Sequence, residues 1–315
     1  MRRRGRIGLT GASTGLGRLL LERLDGVPVD VADLRGVGTV VHLAMTYDSA
    51  LSGPERRALN VGGTAALLEA ARTTGVRRVV LTTSAEVYGA VPGQPVPLPD
   101  AAPLRAEPDD GLLGDHLEVE RLAEHAVRTG VEVAVLRPAA LVGAGYEGRL
   151  LRQLAAPRLL AARGSEPLWQ LCHVDDLVSA LVLAAEGRLT GAATVGCDGW
   201  LPQTEVERIS GRRRVELPAG VALATAERLH RLGLSSASPR DLDHLLAPIV
   251  VTSERLRALG WGPSWTNEAA LRAHLAERDA HGSGRAGAYT AAGASVALLG
   301  TAALVRQARR RRRRL

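Results

Sequence analysis

The chain has 315 residues, of which 46% are hydrophobic and 23% are charged, as is typical of a soluble globular protein. All forty basic residues are arginines, which excludes any catalytic step that uses a lysine amine. The formal net charge is +7, and the final stretch "VRQARRRRRRL" alone holds seven arginines, so the basic pI does not indicate a nucleic-acid-binding body.

Two cysteines, Cys172 and Cys197, lie in unrelated contexts without metal-ligand spacing, so we expect buried, reduced thiols and no metal site. The basic start "MRRRGR" leads directly into a predicted strand, without the apolar segment of a signal peptide. We therefore expect a cytoplasmic protein.

The first half of the chain alternates predicted strands and helices. Strands are predicted at 6–10, 27–36, 37–44, within the β-rich run 76–89, and at 131–143, where the strand leaves the sheet; helices are predicted from Gly15 to about Leu24, at 55–75 and at 115–130. This alternation predicts an α/β fold with a Rossmann-like, doubly wound parallel sheet.

The second half mixes helices with short strands, which predicts a smaller α/β lobe over the carboxyl edge of the sheet. We expect a dinucleotide-binding domain at 1–145, a substrate-type lobe at 146–280 with some chain exchange between the two, and an Ala-rich segment with an Arg-rich tail at 281–315.

The stretch "IGLTGASTGLGRLLLERL" predicts a strand, a glycine-rich turn and a helix. A helix N-terminus offers unpaired N–H groups and partial positive charge, and glycine lets the backbone approach a pyrophosphate closely. Gly11, Gly15 and Gly17 fit that role. The alternative is a tight strand–helix turn that holds no ligand.

An ordered series of motifs follows this turn, including "DLRG", "VVHLA", "NVGGTAALLEAA", "TTSAEVYG", "LRPAALVG" and "LCHVDDLVSALVLA". The chain thereby resembles the extended short-chain dehydrogenases/reductases of the NAD-dependent epimerase/dehydratase family. The resemblance implies bound NAD or NADP, a nucleotide-sugar-like substrate and, by analogy alone, a homodimer.

The resemblance also implies a set of cofactor-binding positions along these motifs. They are Gly11, Ser13, Thr14, Gly15, Leu16, Gly17, Asp33, Leu34, Leu43, Ala44, Asn60, Thr82, Thr83, Arg137 and Pro138.

The interval after the glycine turn is shorter than the family's. Only one strand is predicted between Gly17 and His42, and its end, "ADLRG", resembles the family's third-strand segment that contacts adenine. The family's second strand normally ends with an acidic or Arg residue that reads the ribose 2′ position, and that residue is expected to be missing. Asp30 is a weak substitute for that residue. The choice between NAD and NADP therefore stays open, and we expect the cofactor to bind with reduced affinity.

The catalytic pair of the family is absent. The resemblance implies a Tyr-x-x-x-Lys pair near residues 108–118, with a Ser or Thr that polarises the substrate oxygen. Ser84 matches the Ser/Thr position, but the pair falls on Asp110 and Gly114 or on Leu112 and His116, depending on register. We therefore expect the usual proton chemistry to be disabled.

Other groups near this position have two interpretations each. His116 is a candidate general base because its ordinary pKa suits neutral pH, and the alternative is an exposed histidine on an amphipathic helix. Asp109, Asp110 and Asp115 are expected to cap that helix rather than to form a catalytic dyad. Tyr88 is expected to pack structurally.

Two functional hypotheses follow. One is an epimerase, dehydratase or reductase that acts with a non-standard acid/base such as His116 together with Ser84. The other, which the missing pair and the shortened segment favour, is a nucleotide-binding protein with lost or altered catalysis and a regulatory or scaffolding role.

The uncharged segment 286–305, followed by the Arg309–Arg314 run, leaves three interpretations open. It is a helix lying on an anionic membrane, a membrane span, or a flexible tail that touches an acidic partner or nucleic acid.

Overall fold

The protein is described here from a computed structural model covering residues 5–46, 51–143, 146, 149–155, 158–218, 220, 221, 224, 228 and 247–281. Its strands are β1 (Arg6–Thr10), β2 (Gly26–Pro28), β3 (Val37–His42), β4 (Arg78–Thr82), β5 (Glu132–Pro138), β6 (Ala140–Val142), β7 (Leu159–Ala162), β8 (Leu168–Trp169), β9 (Leu171–His173), β10 (Gly191–Val195), β11 (Leu201–Pro202) and β12 (Arg214–Leu217).

The described helices are α1 (Gly15–Arg23), α2 (Gly53–Arg57), α3 (Gly63–Thr74), α4 (Leu112–Arg128), α5 (Arg149–Arg152), α6 (Val174–Ala185), α7 (Gln203–Ser210), α8 (Glu254–Ala258) and α9 (Asn267–His281). A π-helical turn at Ala58–Gly62 joins α2 to α3, and 3₁₀ turns lie at Ala85–Tyr88 and Gln153–Ala155.

The central sheet confirms the predicted fold class. Its six strands are all parallel, in the order β10-β5-β4-β3-β1-β2. Consecutive residues of a strand face opposite sides, so Val40 and Val79 pack with α3 and α4, whereas Val41 and Val80 pack with α1 and α6. Apolar residues on both faces explain the near-continuous hydrophobic strands.

The second half of the chain contributes a helix that covers the central sheet and a strand that extends it. α6 packs on the sheet beside α1, and β10 extends the sheet next to β5. The short pairs β6–β9, β7–β12 and β8–β11 lie outside the central sheet, as does a separate core that includes Trp169, Leu171 and Leu271. The strand at 131–143 leaves the sheet as predicted, because β6 pairs with β9 rather than with β4.

Two strand predictions were too long. The strand predicted at 27–36 stops at Pro28, because the Asp30 side chain accepts the Ala32 N–H at 2.9 Å and turns the chain. The β-rich run at 76–89 ends at Thr82, and Ser84 caps a 3₁₀ turn by accepting the Glu86 N–H. Local side-chain hydrogen bonds ended both strands.

Both cysteines are buried thiols, and burial raises the pKa of Cys197 to about 12. Across the described part of the chain, no helix is both long and apolar enough to cross a membrane. The segment 286–315, on which the membrane and tail interpretations depend, lies outside the described residues.

Candidate functional site: a dinucleotide crevice and an adjoining cleft

The glycine turn between β1 and α1 is a tight, capped loop. Gly11 has φ +71°, and a Cβ there would overlap the Leu43 carbonyl, so only glycine fits. A Cβ on Gly17 would overlap Gly11 and Ala12, so this glycine lets the helix approach the loop closely. Thr14 caps α1 by accepting the Gly17 N–H at 3.0 Å, and its hydroxyl donates to the Gly11 carbonyl at 2.8 Å.

The turn lies where open parallel sheets bind ligands. The chain leaves β1 towards β2 on one side and reaches β3 on the other, so the carboxyl ends of β1 and β3 form a topological switch point. Leu43 donates its N–H to the Thr10 carbonyl at 3.1 Å, which sets Leu43 and Ala44 beside Gly11. Ser13 and Ala44 are exposed, and Leu16 is buried beneath the turn.

His42, to which the sequence analysis assigned no role, lies at the end of β3. Its ring nitrogens lie 2.6 Å from the Thr10 hydroxyl and 3.2 Å from the Thr64 hydroxyl. Burial lowers the pKa of His42 to about 4, so the ring is neutral at pH 7. The neutral ring ties β1 and α3 to β3 beneath the glycine turn. We call the space between the carboxyl ends of β1 and β3 the crevice.

The structure places the single strand of this interval as the second strand of the sheet, although the end of the predicted strand resembles the family's third. β2 pairs in parallel with β1, which is the place of the second strand in the usual 3-2-1-4-5-6 order, and no strand of the described residues pairs with its outer edge. Asp30 follows β2 by two residues and is exposed. It therefore lies where the ribose-reading acidic residue is expected.

The "DLRG" segment turns away from β2. Asp33 forms an ion pair with Arg35 at 2.8 Å, and the hydrogen bonds from Arg35 lower the pKa of the Asp33 carboxyl to about 2. Leu34 is buried in the core against α3. Both remain predicted cofactor positions.

The carboxyl end of β4 places three hydroxyls in a row. The buried Thr82 Oγ1 finds no hydrogen-bond partner among the described residues. Thr83 donates to Glu120 at 2.7 Å, and Ser84 is half-buried. Because β4 is adjacent to β3 in the sheet, this unpaired hydroxyl lies at the same edge as the glycine turn.

Arg137 and Tyr88 belong to a buried network beneath this edge. Arg137 donates to both oxygens of Glu120 at 2.9 Å and to the Tyr88 hydroxyl at 2.9 Å, and Tyr88 donates to the Asp100 carbonyl. Burial of Arg137 opposes its charge, but the bonds to Glu120 outweigh burial and raise the pKa of the guanidinium. Tyr88 thus packs structurally, as predicted.

Helix α4 carries the positions at which the family's Tyr and Lys are expected. A Cβ on Gly114 would overlap the Asp109 carbonyl, so that position accepts no side chain. The Asp109 carboxylate accepts the N–H groups of Gly111 and Gly114 at 2.9 Å, which confirms its predicted capping role. His116 is 2% exposed, so the interpretation as an exposed histidine is wrong.

Asp115 is buried on α4 and does not cap it, contrary to the expectation. Its carboxylate accepts Arg56 Nε at 2.8 Å and the Asn60 amide at 3.1 Å, and Arg57 lies 3.6 Å away. Asn60 also accepts the Thr46 N–H at 2.7 Å. A predicted cofactor residue, Asn60, therefore joins the loop after β3 to α4.

A cleft of about 350 Å³ opens beside Ser84, and we call it the Ser84 cleft. Its lining includes the predicted residues Ser84 and Pro138, and His116 is not among its described lining residues. Glu86 and Arg105, which also line it, were missed. The signal for Glu86 was an ionisable side chain two residues after Ser84. Arg105 lies in a proline-rich loop at 92–110, where no pattern marks it.

Tyr146, which follows β6, is a further residue that the sequence analysis missed. Its side chain packs against the core shared by α1 and α6, and its hydroxyl hydrogen-bonds to Thr14. Burial raises the pKa of Tyr146. A tyrosine from beyond the sixth strand therefore touches the glycine turn.

Comparisons with known proteins agree with this architecture. The sequence model described as "NAD dependent epimerase/dehydratase family" matches residues 29–194, more than half of the chain. The chain belongs to the NAD-dependent epimerase/dehydratase family.

Individual members of the family show how far the likeness extends. An uncharacterized protein of Mycobacterium tuberculosis is 32% identical over 237 residues, which cover 73% of this chain and 63% of that protein. A 3-diazoavenalumate denitrifying reductase of a Streptomyces species is 34% identical over 155 residues, 46% of this chain and 50% of that enzyme. The chain thus spans less than two thirds of these relatives.

The solved structure of the Bordetella bronchiseptica enzyme WbmG in complex with NAD and UDP has a TM-score of 0.61 and 20% identity. It aligns with 88% of this chain and 96% of that one. At this identity the likeness shows the fold.

Proposed function

We propose that this family member binds NAD or NADP in the crevice at the glycine turn and that its catalysis is lost or altered, with a regulatory or scaffolding role. The observation that carries the second half of the proposal is the composition of α4. Its Tyr/Lys positions hold Gly114, which has no room for a side chain, and residues that supply neither a phenol nor an ammonium. Asp115, on the same turn, is engaged by Arg56.

The residues present fit a dinucleotide. Gly11 and Gly17 have the tight-turn and close-packing roles of the phosphate-binding fingerprint, and α1 begins at the turn with its N–H groups directed outward. Thr82 offers an unpaired buried hydroxyl at the same edge. A nicotinamide dinucleotide bound there would supply hydride exchange. NAD in the solved WbmG structure supports this assignment.

A second candidate function is an active enzyme with a non-standard acid/base. The Ser84 cleft favours it, because a concave site beside a retained hydroxyl is what a substrate needs. Glu86 lines the cleft with Ser84, whereas His116 does not, so a base within the cleft is the better form of this candidate. The reductase from Streptomyces is an enzyme with which this chain shares 155 aligned residues.

The deciding experiment is calorimetry and thermal unfolding of the full chain with NAD, NADH, NADP and NADPH. Ligand at a hundred times its Kd should add about 2.7 kcal/mol of stability. Ser13→Asp places a negative charge at the exposed turn and should abolish binding. Thr190→Asp, exposed at the amino end of β10, is the matched control.

Absence of binding by the wild-type chain at millimolar ligand would refute the cofactor assignment. Turnover of nicotinamide cofactor by the purified chain, lost in Ser84→Ala, would refute the non-catalytic assignment and select the second candidate.

A further inference from the structure

The Ser84 cleft has mostly apolar walls. Besides Ser84, its polar and charged described lining consists of Glu86, Arg105, Glu107 and Gln170. The other described lining residues are apolar or glycine, among them Val91, Leu113, Ala140, Leu150 and Ile249. Apolar walls favour a ligand with an apolar body, since burying such a surface is the main gain on binding.

The size of the cleft limits the ligand. Its volume of about 350 Å³ lies near the lower end of the range of about 300–1,000 Å³ for ligand pockets. A nucleotide sugar, which carries a base, two sugars and a diphosphate, exceeds what this volume encloses. A compact molecule with one or two rings fits it.

The charges in the described lining also disfavour an anion. Glu86 is half-buried beside Ser84, and Arg105 and Glu107 are exposed at the rim. Two carboxylates and one guanidinium give this lining a formal charge of −1. A dianionic diphosphate placed there would meet like charge in a partly desolvated site.

We propose that the Ser84 cleft binds a compact, uncharged organic molecule with an apolar body and one hydrogen-bonding group directed at Ser84 and Glu86. This ligand class deepens the proposed function, because it names the molecule that would lie beside the cofactor. It differs from the nucleotide-sugar-like substrate that the resemblance implies.

A matched pair of dyes tests the proposal on the full chain. N-phenyl-1-naphthylamine is uncharged and carries one N–H donor, and 1-anilinonaphthalene-8-sulfonate has the same rings with an added negative charge. We expect saturable fluorescence enhancement by the uncharged dye and at least tenfold weaker binding of the sulfonate in the cleft. Glu86→Gln should narrow that difference.

Blocking variants assign the signal to the cleft. Val91→Trp fills the cleft from the residue just before the proline-rich loop and should weaken binding of the uncharged dye at least tenfold. Val96→Trp, on the exposed part of the same loop, is the control and should leave binding within twofold. Ala140→Leu narrows the opposite wall with a smaller change, and far-UV circular dichroism confirms folding of each variant.

Only the dye signal that Val91→Trp or Ala140→Leu removes is counted, because the arginine-rich end can attract the sulfonate elsewhere. A signal that neither variant reduces overturns the proposal. So does a counted signal of equal strength for both dyes, or displacement of the uncharged dye by micromolar UDP-glucose.

Two different measurements distinguish failure of the proposed cofactor binding from failure of the proposed ligand class. Calorimetry with NAD on the same samples reports the crevice, whereas the dyes report the cleft. Dye binding without NAD binding refutes the cofactor assignment alone, and NAD binding without cleft-dependent dye binding refutes the ligand class alone.

Discussion

The Arg56 guanidinium donates to the Asp115 carboxylate at 2.8 Å, across the gap between α2 and the first turn of α4. The Asp115 side chain is 1% exposed and that of Arg56 is 16% exposed, so the pair is largely withdrawn from water. Arg56 also donates to the Asp110 carbonyl. The pair therefore fixes the start of the helix on which the family's catalytic residues would stand.

We expect Asp115→Ala to lower the free energy of unfolding strongly. Removing one partner of a buried ion pair leaves an uncompensated charge, at a cost of about 3–5 kcal/mol. Urea unfolding of the purified chain measures it. Glu118→Ala breaks the exposed pair with Arg121 on the same helix and should cost no more than about 1 kcal/mol. Equal losses of unfolding free energy in the two variants would contradict the conclusion that Asp115 and Arg56 form a buried, stabilising ion pair.

The buried Glu120–Arg137 pair predicts a different result for single and double variants. Arg137→Met alone leaves the Glu120 carboxylate buried and should cost about 3–5 kcal/mol. Adding Glu120→Leu removes that stranded charge and should recover part of the loss. A double-mutant cycle measured by urea unfolding decides, and strictly additive losses would exclude coupling across the pair.

Asp30 predicts the cofactor preference. Its exposed carboxylate follows β2 by two residues, and in the proposed complex it would accept from a ribose hydroxyl and repel a 2′-phosphate, so we expect NAD to bind more tightly than NADP. Asp30→Asn should shift the ratio of the two Kd values towards NADP by roughly 10–100-fold, the equivalent of about 1.5–3 kcal/mol for a charged hydrogen bond.

The matched control for this prediction is Asp25→Asn, an exposed carboxylate on the other side of β2. It should leave the ratio unchanged. If Asp25→Asn changed the ratio of the two Kd values as much as Asp30→Asn does, the shift would be a general effect of charge and would not assign a role to Asp30.

The buried His42 predicts acid sensitivity. Its folded-state pKa is about 4 against 6.5 for the ordinary side chain, so the unfolded chain binds the extra proton first. Stability is present above pH 6.5 and is lost as the pH falls from 6.5 to 4, by on the order of 3 kcal/mol for this group.

Urea unfolding at several pH values between 7.5 and 4 measures this loss, and His42→Gln should flatten the profile. His274 has its pKa lowered to about 4, mainly by burial, and should leave a residual slope. His125→Gln, at an exposed position of α4, should leave the wild-type profile intact. An unchanged profile in His42→Gln would place the acid sensitivity elsewhere.

The hydrophobic periodicity of the sequence and the placement of its glycines were enough to predict the sheet and the glycine turn. The alternation of apolar strands with amphipathic helices predicted the parallel sheet, and Gly11 and Gly17 stand where a left-handed turn and a close helix contact require glycine. These features are local, since they follow from backbone freedom and from which face of each element is apolar. The missing Tyr and Lys are equally a property of the sequence.

Only the tertiary structure decided what depends on contacts between distant segments. Residues 26–28 became the second strand by pairing with β1, which set Asp30 two residues beyond the carboxyl end of that strand. Asp115 met Arg56 across 59 positions of chain, and the walls of the Ser84 cleft came from seven separate stretches between Ser84 and Ile249. The sequence by itself determined the fold and the loss of the usual pair, because those depend on residue type and spacing; the structure decided which charges are buried together and which surfaces enclose a cleft, because those depend on long-range packing.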